Sequence, residues 1–75
     1  MPFLQVKLIE GVFDDEQKLD MLTKLTDAMV EIEGENMRGV TTVVIEEVKS
    51  GEWSVGGSPL TAAAVKALRD GVPVG

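Results

Sequence analysis

The chain combines a short length with a complete lack of cysteine and histidine. A chain of 75 residues buries only about 60% of the surface that its unfolded form exposes. Neither a disulfide nor a common zinc site can be built to compensate. Because 44% of the residues are nevertheless hydrophobic, we expect one domain over residues 1–75 that covers part of its apolar surface by assembling with identical subunits.

The acidic balance of the chain argues against several classes of partner. The formal net charge is −6, and the seven lysines and arginines are scattered along the sequence, whereas nucleic acids and acidic membranes attract clustered positive charge. No apolar run approaches the roughly 20 residues of a membrane span, and the start of the chain lacks the basic and apolar pattern of a signal peptide. We therefore expect a cytoplasmic protein without a nucleic-acid or membrane partner.

The first part of the chain is predicted to form a β-α-β unit. Residues Pro2 to Ile9 alternate in the manner of a strand, and Val40 to Val48 are rich in β-branched residues. Between them, Asp14 and Gln17 have the spacing of a helix N-cap and a variant capping box, which predicts a helix over Glu16 to Glu33. Such a crossover gives parallel strands. A two-stranded parallel sheet leaves its edges open, which also favours association of subunits.

The predicted helix carries an apolar stripe. Its members recur at steps of three and four residues: Leu22, Leu25, Met29 and Ile32, widened by Leu19, Met21 and Ala28. Gly34 is predicted to end the helix. Residues 35–39 are then expected to form the loop that returns to the second strand.

The remainder of the chain is predicted to hold a short hairpin and a tail helix. A glycine-rich segment, residues 49–57, surrounds Trp53 and favours a hairpin. Ser58 and Pro59 have the residue types of a helix N-cap and first helical position, and Gly71 is a typical stop. The fold class expected is therefore α/β, with a β-α-β unit, a C-terminal hairpin and a tail helix, assembled into an oligomer.

The start of the chain carries the strongest chemical signal. Without His, Cys or Tyr, acid-base chemistry must come from carboxylates, lysines or the N-terminus. Removal of Met1 would leave Pro2 as a free secondary amine at the head of the first strand. An α-amino group has a pKa of about 7.7–8.0, which burial lowers, so Pro2 can act as a general base in keto-enol tautomerisation. A Met-Pro start without any catalytic role is the alternative.

Several short motifs follow one another in a specific order. They are Pro2-Phe3-Leu4-Gln5-Val6, Glu10-Gly11, Asp15-Glu16-Gln17-Lys18 and the segment GEWSVGG at residues 51–57. Over about residues 2–57, this arrangement resembles the 4-oxalocrotonate tautomerase family, with one extra residue near position 12. The resemblance implies short β-α-β subunits, a homohexamer built as a trimer of dimers, and an isomerase whose amino-terminal proline acts as the base on a small carbonyl substrate.

The resemblance also assigns site residues, with one departure. Trp53 stands where the family has an aromatic wall near the proline. The family's two substrate-binding arginines are absent, because their places hold Val12 or Phe13 and Thr42. Arg38 can supply a replacement cation, as can Lys7 or Lys49, although surface charges without that role are the simpler interpretation. The candidate substrate-binding residues are therefore Trp53, Arg38 and Thr42.

The missing arginines leave the activity open. Since arginine grips carboxylates bidentately, we expect a substrate different from that of the family's dicarboxylate enzyme. One alternative is a non-catalytic oligomeric member of the family. A second is that Pro2 acts as a nucleophile and forms an iminium with an aldehyde. We expect no metal, because the acidic pairs Asp14-Asp15 and Glu46-Glu47 fit a helix cap and opposite strand faces, and no organic cofactor.

Overall fold

A computed structural model describes residues 2–71 of the chain. The elements, in chain order, are β1 (Phe3–Ile9), α1 (Asp15–Glu33), a 3₁₀ helix (Glu35–Val40), β2 (Thr42–Val48), β3 (Trp53–Val55), β4 (Ser58–Leu60) and α2 (Ala62–Arg69). None of the helices in this described part is long and apolar enough to span a membrane.

β1 and β2 are hydrogen-bonded neighbours in a two-stranded sheet. The amide of Thr42, at the start of β2, donates to the carbonyl oxygen of Pro2, just before β1, with an N–O distance of 3.1 Å. Directly after β1, the amide of Glu10 donates to the carbonyl oxygen of Val48 at 2.7 Å. Start therefore pairs with start and end with end, so the strands are parallel. This confirms the predicted β-α-β unit.

The contacts divide the chain into two compact units. Among the described residues, unit 1 comprises 2–6 and 14–46, and unit 2 comprises 7–13 and 47–71. Unit 1 contains α1 and the 3₁₀ helix, while unit 2 contains the second sheet and α2.

In unit 1, α1 begins at the predicted cap. The Gln17 amide donates to the Asp14 carboxylate at 2.8 Å, and the Asp14 amide donates to the Gln17 side-chain oxygen at 3.0 Å. This reciprocal pair satisfies two amides that an α-helix leaves without partners at its N-terminus. At the other end, Gly34 has φ of 103° and its amide donates to Val30, so the helix ends at the predicted glycine.

Replacing Asp14 with Ala is expected to destabilise the protein by about 1 kcal/mol, because the cap hydrogen bond is lost. The measurement is urea unfolding at one fixed protein concentration, since assembly makes stability depend on concentration. Glu52→Ala is the matched control, because it removes one exposed carboxylate that lies outside any helix. Equal midpoints for both variants would contradict a stabilising role for the cap.

The inward face of α1 differs from the predicted stripe. Its buried and half-buried positions are Lys18, Met21, Leu22, Leu25, Thr26, Met29, Val30 and Glu33. Ile32 is 83% exposed and Leu19 is 63% exposed, and Ala28 is also exposed, so these members of the apolar stripe are not covered within the chain itself. At about 100° per residue, Ile32 lies only about 20° from Leu25 around the helix axis, so the helical period alone does not explain its exposure.

The segment predicted as a return loop is a 3₁₀ helix. The Thr41 amide closes it on the Arg38 carbonyl oxygen at 3.2 Å, and the Thr41 hydroxyl has two possible acceptors for its one proton, the Met37 carbonyl oxygen at 2.8 Å and the Glu33 carboxylate. Because these bonds hold residues 35–41 in a turn conformation, β2 begins at Thr42 rather than at the predicted Val40.

In unit 2, the predicted hairpin and tail helix are present. β3 and β4 pair antiparallel, with Trp53 opposite Leu60 and Val55 opposite Ser58. The loop between them is Gly56-Gly57, with φ of 60° and 82°, as a type I′ turn requires. After this two-residue turn, Ser58 to Leu60 pair with β3. The prediction that Ser58 and Pro59 start the tail helix was therefore wrong, and α2 begins at Ala62 with Thr61 as its N-cap.

The side-chain core of the described chain is small. Within residues 2–71, the buried hydrophobic side chains are Ile9, Val12 and Val30. Large apolar side chains remain exposed: Phe3, Leu19, Ile32, Val40, Val55 and Leu68. Such an apolar surface on so small a chain is typical of a subunit whose partners cover part of it.

Candidate active site

Two of the candidate residues meet where the parallel strands begin. Pro2 is half-buried at the head of β1, and its carbonyl oxygen accepts the 3.1 Å hydrogen bond from the amide of Thr42. The bond fixes the first peptide of the strand. This hydrogen bond engages the carbonyl oxygen of Pro2, and the ring nitrogen takes no part in it. The strand start therefore positions the atom that the sequence singled out as a base.

Arg38, in unit 1, is held by two carboxylates. Its Nε donates to Glu35 at 2.7 Å, its Nη2 to the other Glu35 oxygen at 3.4 Å, and its Nη1 to Asp27 at 2.9 Å. The hydrogen bond to Glu35, followed by that to Asp27, raises the pKa of Arg38. The same bond lowers the pKa of Glu35. All three groups are exposed. To bind a substrate, Arg38 would have to give up its ion pairs with Glu35 and Asp27.

Trp53, in unit 2, lines an open cavity of about 280 Å³. The cavity is lined by the end of β1, the loop that follows it, the hairpin and α2. The lining residues are Lys7, Leu8, Ile9, Val12, Phe13, Trp53, Leu60, Val65 and Leu68. Every one of them except Lys7 is apolar, so the cavity suits a largely hydrophobic group.

Two residues that the sequence resemblance singled out line this cavity. Val12 is buried and Phe13 half-buried, and both belong to its lining. Sequence reasoning named these two positions as a departure and did not place them beside Trp53. It also missed Val65 and Leu68. Their spacing of three residues on a predicted helix was the available signal.

A larger hollow of about 510 Å³ lies along α1, lined by Glu16, Gln17, Leu19, Asp20 and Thr23. All of these residues come from two turns of one helix. A single helix presents a convex surface, so this hollow cannot enclose a ligand. Among residues 2–71, no three His, Cys, Asp or Glu side chains are grouped so that they could hold a metal ion.

The comparisons with known proteins agree with one another. The family model described as "Tautomerase enzyme" matches residues 2–63. A protein of Staphylococcus epidermidis named as a probable tautomerase is 42% identical over 57 residues, which cover 76% of this chain and 90% of the relative. A probable tautomerase of Dickeya dadantii is 31% identical over 61 residues, covering 81% of this chain and 90% of the relative.

A solved structure extends the similarity to the tail. The 4-oxalocrotonate tautomerase homologue TomN, of the tomaymycin biosynthetic pathway, has a TM-score of 0.69 and 26% identity, and the match covers 96% of this chain and 98% of that one. The fold similarity therefore reaches beyond the segment that the family model matches.

Proposed function

Because the chain belongs to the 4-oxalocrotonate tautomerase family, we propose that it is an isomerase whose free Pro2 amine moves a proton within a small enolisable carbonyl compound. The observation that carries the proposal is the position of Pro2. Pro2 accepts the hydrogen bond that joins the starts of the two parallel strands. Once Met1 is removed, its ring nitrogen is a free secondary amine.

The proposed reaction conserves every atom of the substrate. The unprotonated amine of Pro2 accepts the proton of the enol hydroxyl, and the resulting ammonium returns a proton to the neighbouring carbon. The carbon-oxygen bond becomes a carbonyl as the carbon-carbon double bond is lost. The rate depends on an amine that is uncharged near neutral pH and on a donor that stabilises the charge developing on oxygen.

Thr42 is our candidate for that donor. It is the hydrogen-bonded neighbour of Pro2 across the strands, and it occupies the place of a family arginine. A hydroxyl donates one hydrogen bond and carries no charge. It therefore favours a substrate oxygen with less charge than a second carboxylate carries.

We further propose that the active form is a homo-oligomer, with the hexamer that the family resemblance implies. Within residues 2–71, three buried side chains support little of the fold on their own, and six large apolar side chains remain exposed. A single domain over residues 1–75 and a cytoplasmic location stay predictions from the sequence.

A second candidate is a non-catalytic assembly protein with the family fold. It is favoured by the loss of both family arginines and by the pairing of Arg38 with Glu35 and Asp27. The nucleophilic role of Pro2, with an iminium formed from an aldehyde, remains the third.

The test is ketonisation of phenylenolpyruvate followed by ultraviolet absorbance, with removal of Met1 verified by mass spectrometry. We expect a rate well above the uncatalysed one. As pH rises, kcat/KM should increase along one limb with an apparent pKa at or below about 8, because the amine must lose its proton to act as a base. A rate equal to background from about pH 5 to about pH 9 would favour the non-catalytic alternative.

A further inference from the structure

We propose that Thr41 is a positioning residue, whose hydroxyl holds the start of β2 where the Thr42 amide can fix Pro2. The three residues belong to the same compact unit, unit 1. The effect on the reaction rests on the proposed function, in which Pro2 is the base. The effect on the geometry of the strand start does not, and it can be measured without any substrate.

Thr41 is the residue that joins the 3₁₀ helix to β2. Its amide donates back to the Arg38 carbonyl oxygen at 3.2 Å, whereas the next amide, that of Thr42, donates to the Pro2 carbonyl oxygen at 3.1 Å. Thr41 itself is extended, with φ of −87° and ψ of 119°. Because the peptide group is planar, the ψ angle of Thr41 sets the direction of the Thr42 N–H bond. The conformation of Thr41 therefore decides whether the Thr42 amide reaches Pro2.

The side chain of Thr41 holds this conformation. Its hydroxyl donates its proton to the Met37 carbonyl oxygen at 2.8 Å or to the Glu33 carboxylate. Either bond ties Thr41 to the helical segments that precede it. All three residues are half-buried, so water would replace the lost bond less completely than it does at an exposed site.

The ion pairs of Arg38 are a weaker attachment of the same segment. Arg38 joins the 3₁₀ helix to α1 through Asp27 at 2.9 Å and pairs with Glu35 at 2.7 Å. These groups are exposed, and exposed pairs contribute little to stability because water and salt screen them. The half-buried hydroxyl of Thr41 is therefore the contact that we expect to control the start of β2.

Pro2 depends on such an attachment. Once Met1 is removed, Pro2 is the first residue of the chain, and first residues are poorly ordered unless they are tied down. The hydrogen bond from the Thr42 amide ties it down. A displacement of about 1 Å in a reacting group can cost about 100-fold in rate. Thr41 therefore acts on the proposed proton transfer through the backbone, without contacting the substrate.

Amide hydrogen exchange, followed by nuclear magnetic resonance on the assembled protein without substrate, tests the geometry. In Thr41→Val, the Thr42 amide is expected to exchange about tenfold faster, because the junction opens locally more often. The Gly34 amide, which donates to Val30 at 2.8 Å, is the internal reference and should keep its rate. Thr41→Ser retains the hydroxyl and should keep the slow exchange of the parent protein.

Ketonisation of phenylenolpyruvate tests the effect on the reaction. Thr41→Val should lower kcat by about tenfold and leave KM within about twofold, because it displaces the base and removes no contact with the bound substrate. Thr41→Ser should retain the parent kcat. Thr26→Val is the matched control, since the half-buried Thr26 hydroxyl also donates to a carbonyl oxygen four residues earlier, that of Leu22, at 2.7 Å. It should leave kcat and KM unchanged.

Three results would overturn the inference. The first is unchanged exchange of the Thr42 amide in Thr41→Val. The second is equal acceleration at Thr42 and Gly34, which would show a general loss of stability. The third is a higher KM at unchanged kcat, which would assign the hydroxyl to substrate binding. A parent protein without ketonisation would overturn the proposed function and the kinetic effect with it, while the exchange rates would still decide whether Thr41 holds the strand start.

Discussion

Replacing Pro2 with Ala is expected to lower kcat/KM for ketonisation by about 10²- to 10⁴-fold, which is the usual contribution of a positioned general base. The change keeps the backbone carbonyl that accepts the Thr42 hydrogen bond. It replaces a secondary amine held in a ring by a primary amine on a freely rotating N-terminus. Fold and assembly should therefore survive while the basicity and the position of the nitrogen change.

Pro59→Ala is the matched control for this experiment. It removes a proline from β4, where the residue is exposed and pairs with Ser54, so the same substitution is made outside the proposed base. We expect its rate to stay close to that of the parent protein. Mass spectrometry must show that both variants have lost Met1, because a retained residue would convert the amine of position 2 into an amide. Equal rates for the parent protein and Pro2→Ala would remove the proline mechanism.

Replacing Ile32 with Lys is expected to break up the assembly. Ile32 is 83% exposed on α1, and a polar substitution at such a site on a lone chain would change stability by no more than about 0.5 kcal/mol. If a partner subunit covers this side chain, the variant must bury an ammonium group without a counter-charge. The released chain, with its small core, should then also unfold at lower temperature.

Light scattering after size-exclusion chromatography measures the mass directly, and a thermal scan at matched concentration measures stability. Glu31→Lys introduces the same side chain one position away, at a residue that is already charged and exposed, and it should keep the parent mass. An unchanged mass for Ile32→Lys would show that this side of α1 does not contact another subunit.

The β-α-β unit could be predicted because its signals are local. The alternation of β1, the capping pair of Asp14 and Gln17, and Gly34 at the end of the helix each depend on neighbours within a few residues. The register of the inward face of α1 was less secure. Apolar residues at positions 19, 22, 29 and 32 fit one broad helical face, and only the three-dimensional packing selected Val30 over Ile32 for burial.

The start of α2 was mispredicted for a related reason. Ser58 and Pro59 carry good residue types for a helix start, but the Gly56-Gly57 turn commits them to pairing with β3. The preference of Ser58 and Pro59 for a helix start is therefore overridden by their pairing with the strand across the turn.

The candidate site was predictable only in part. Pro2 emerged by elimination, since a chain without His, Cys or Tyr has few bases to offer. The cavity around Trp53 did not emerge, because it depends on contacts between distant segments. The hydrogen bond from Arg69 to Val12 joins residues that are 57 positions apart. No periodicity or motif within either segment predicts this contact.

The bond between Arg69 and the Val12 carbonyl oxygen also has a consequence for how such a protein can diversify. It places the wall of the Trp53 cavity on a helix of eight residues, while the proposed base sits at the opposite end of the sequence. Substitutions at positions 65 and 68 can then reshape this cavity without touching Pro2. A library confined to α2 would vary the wall of the cavity while the start of β1 stays constant.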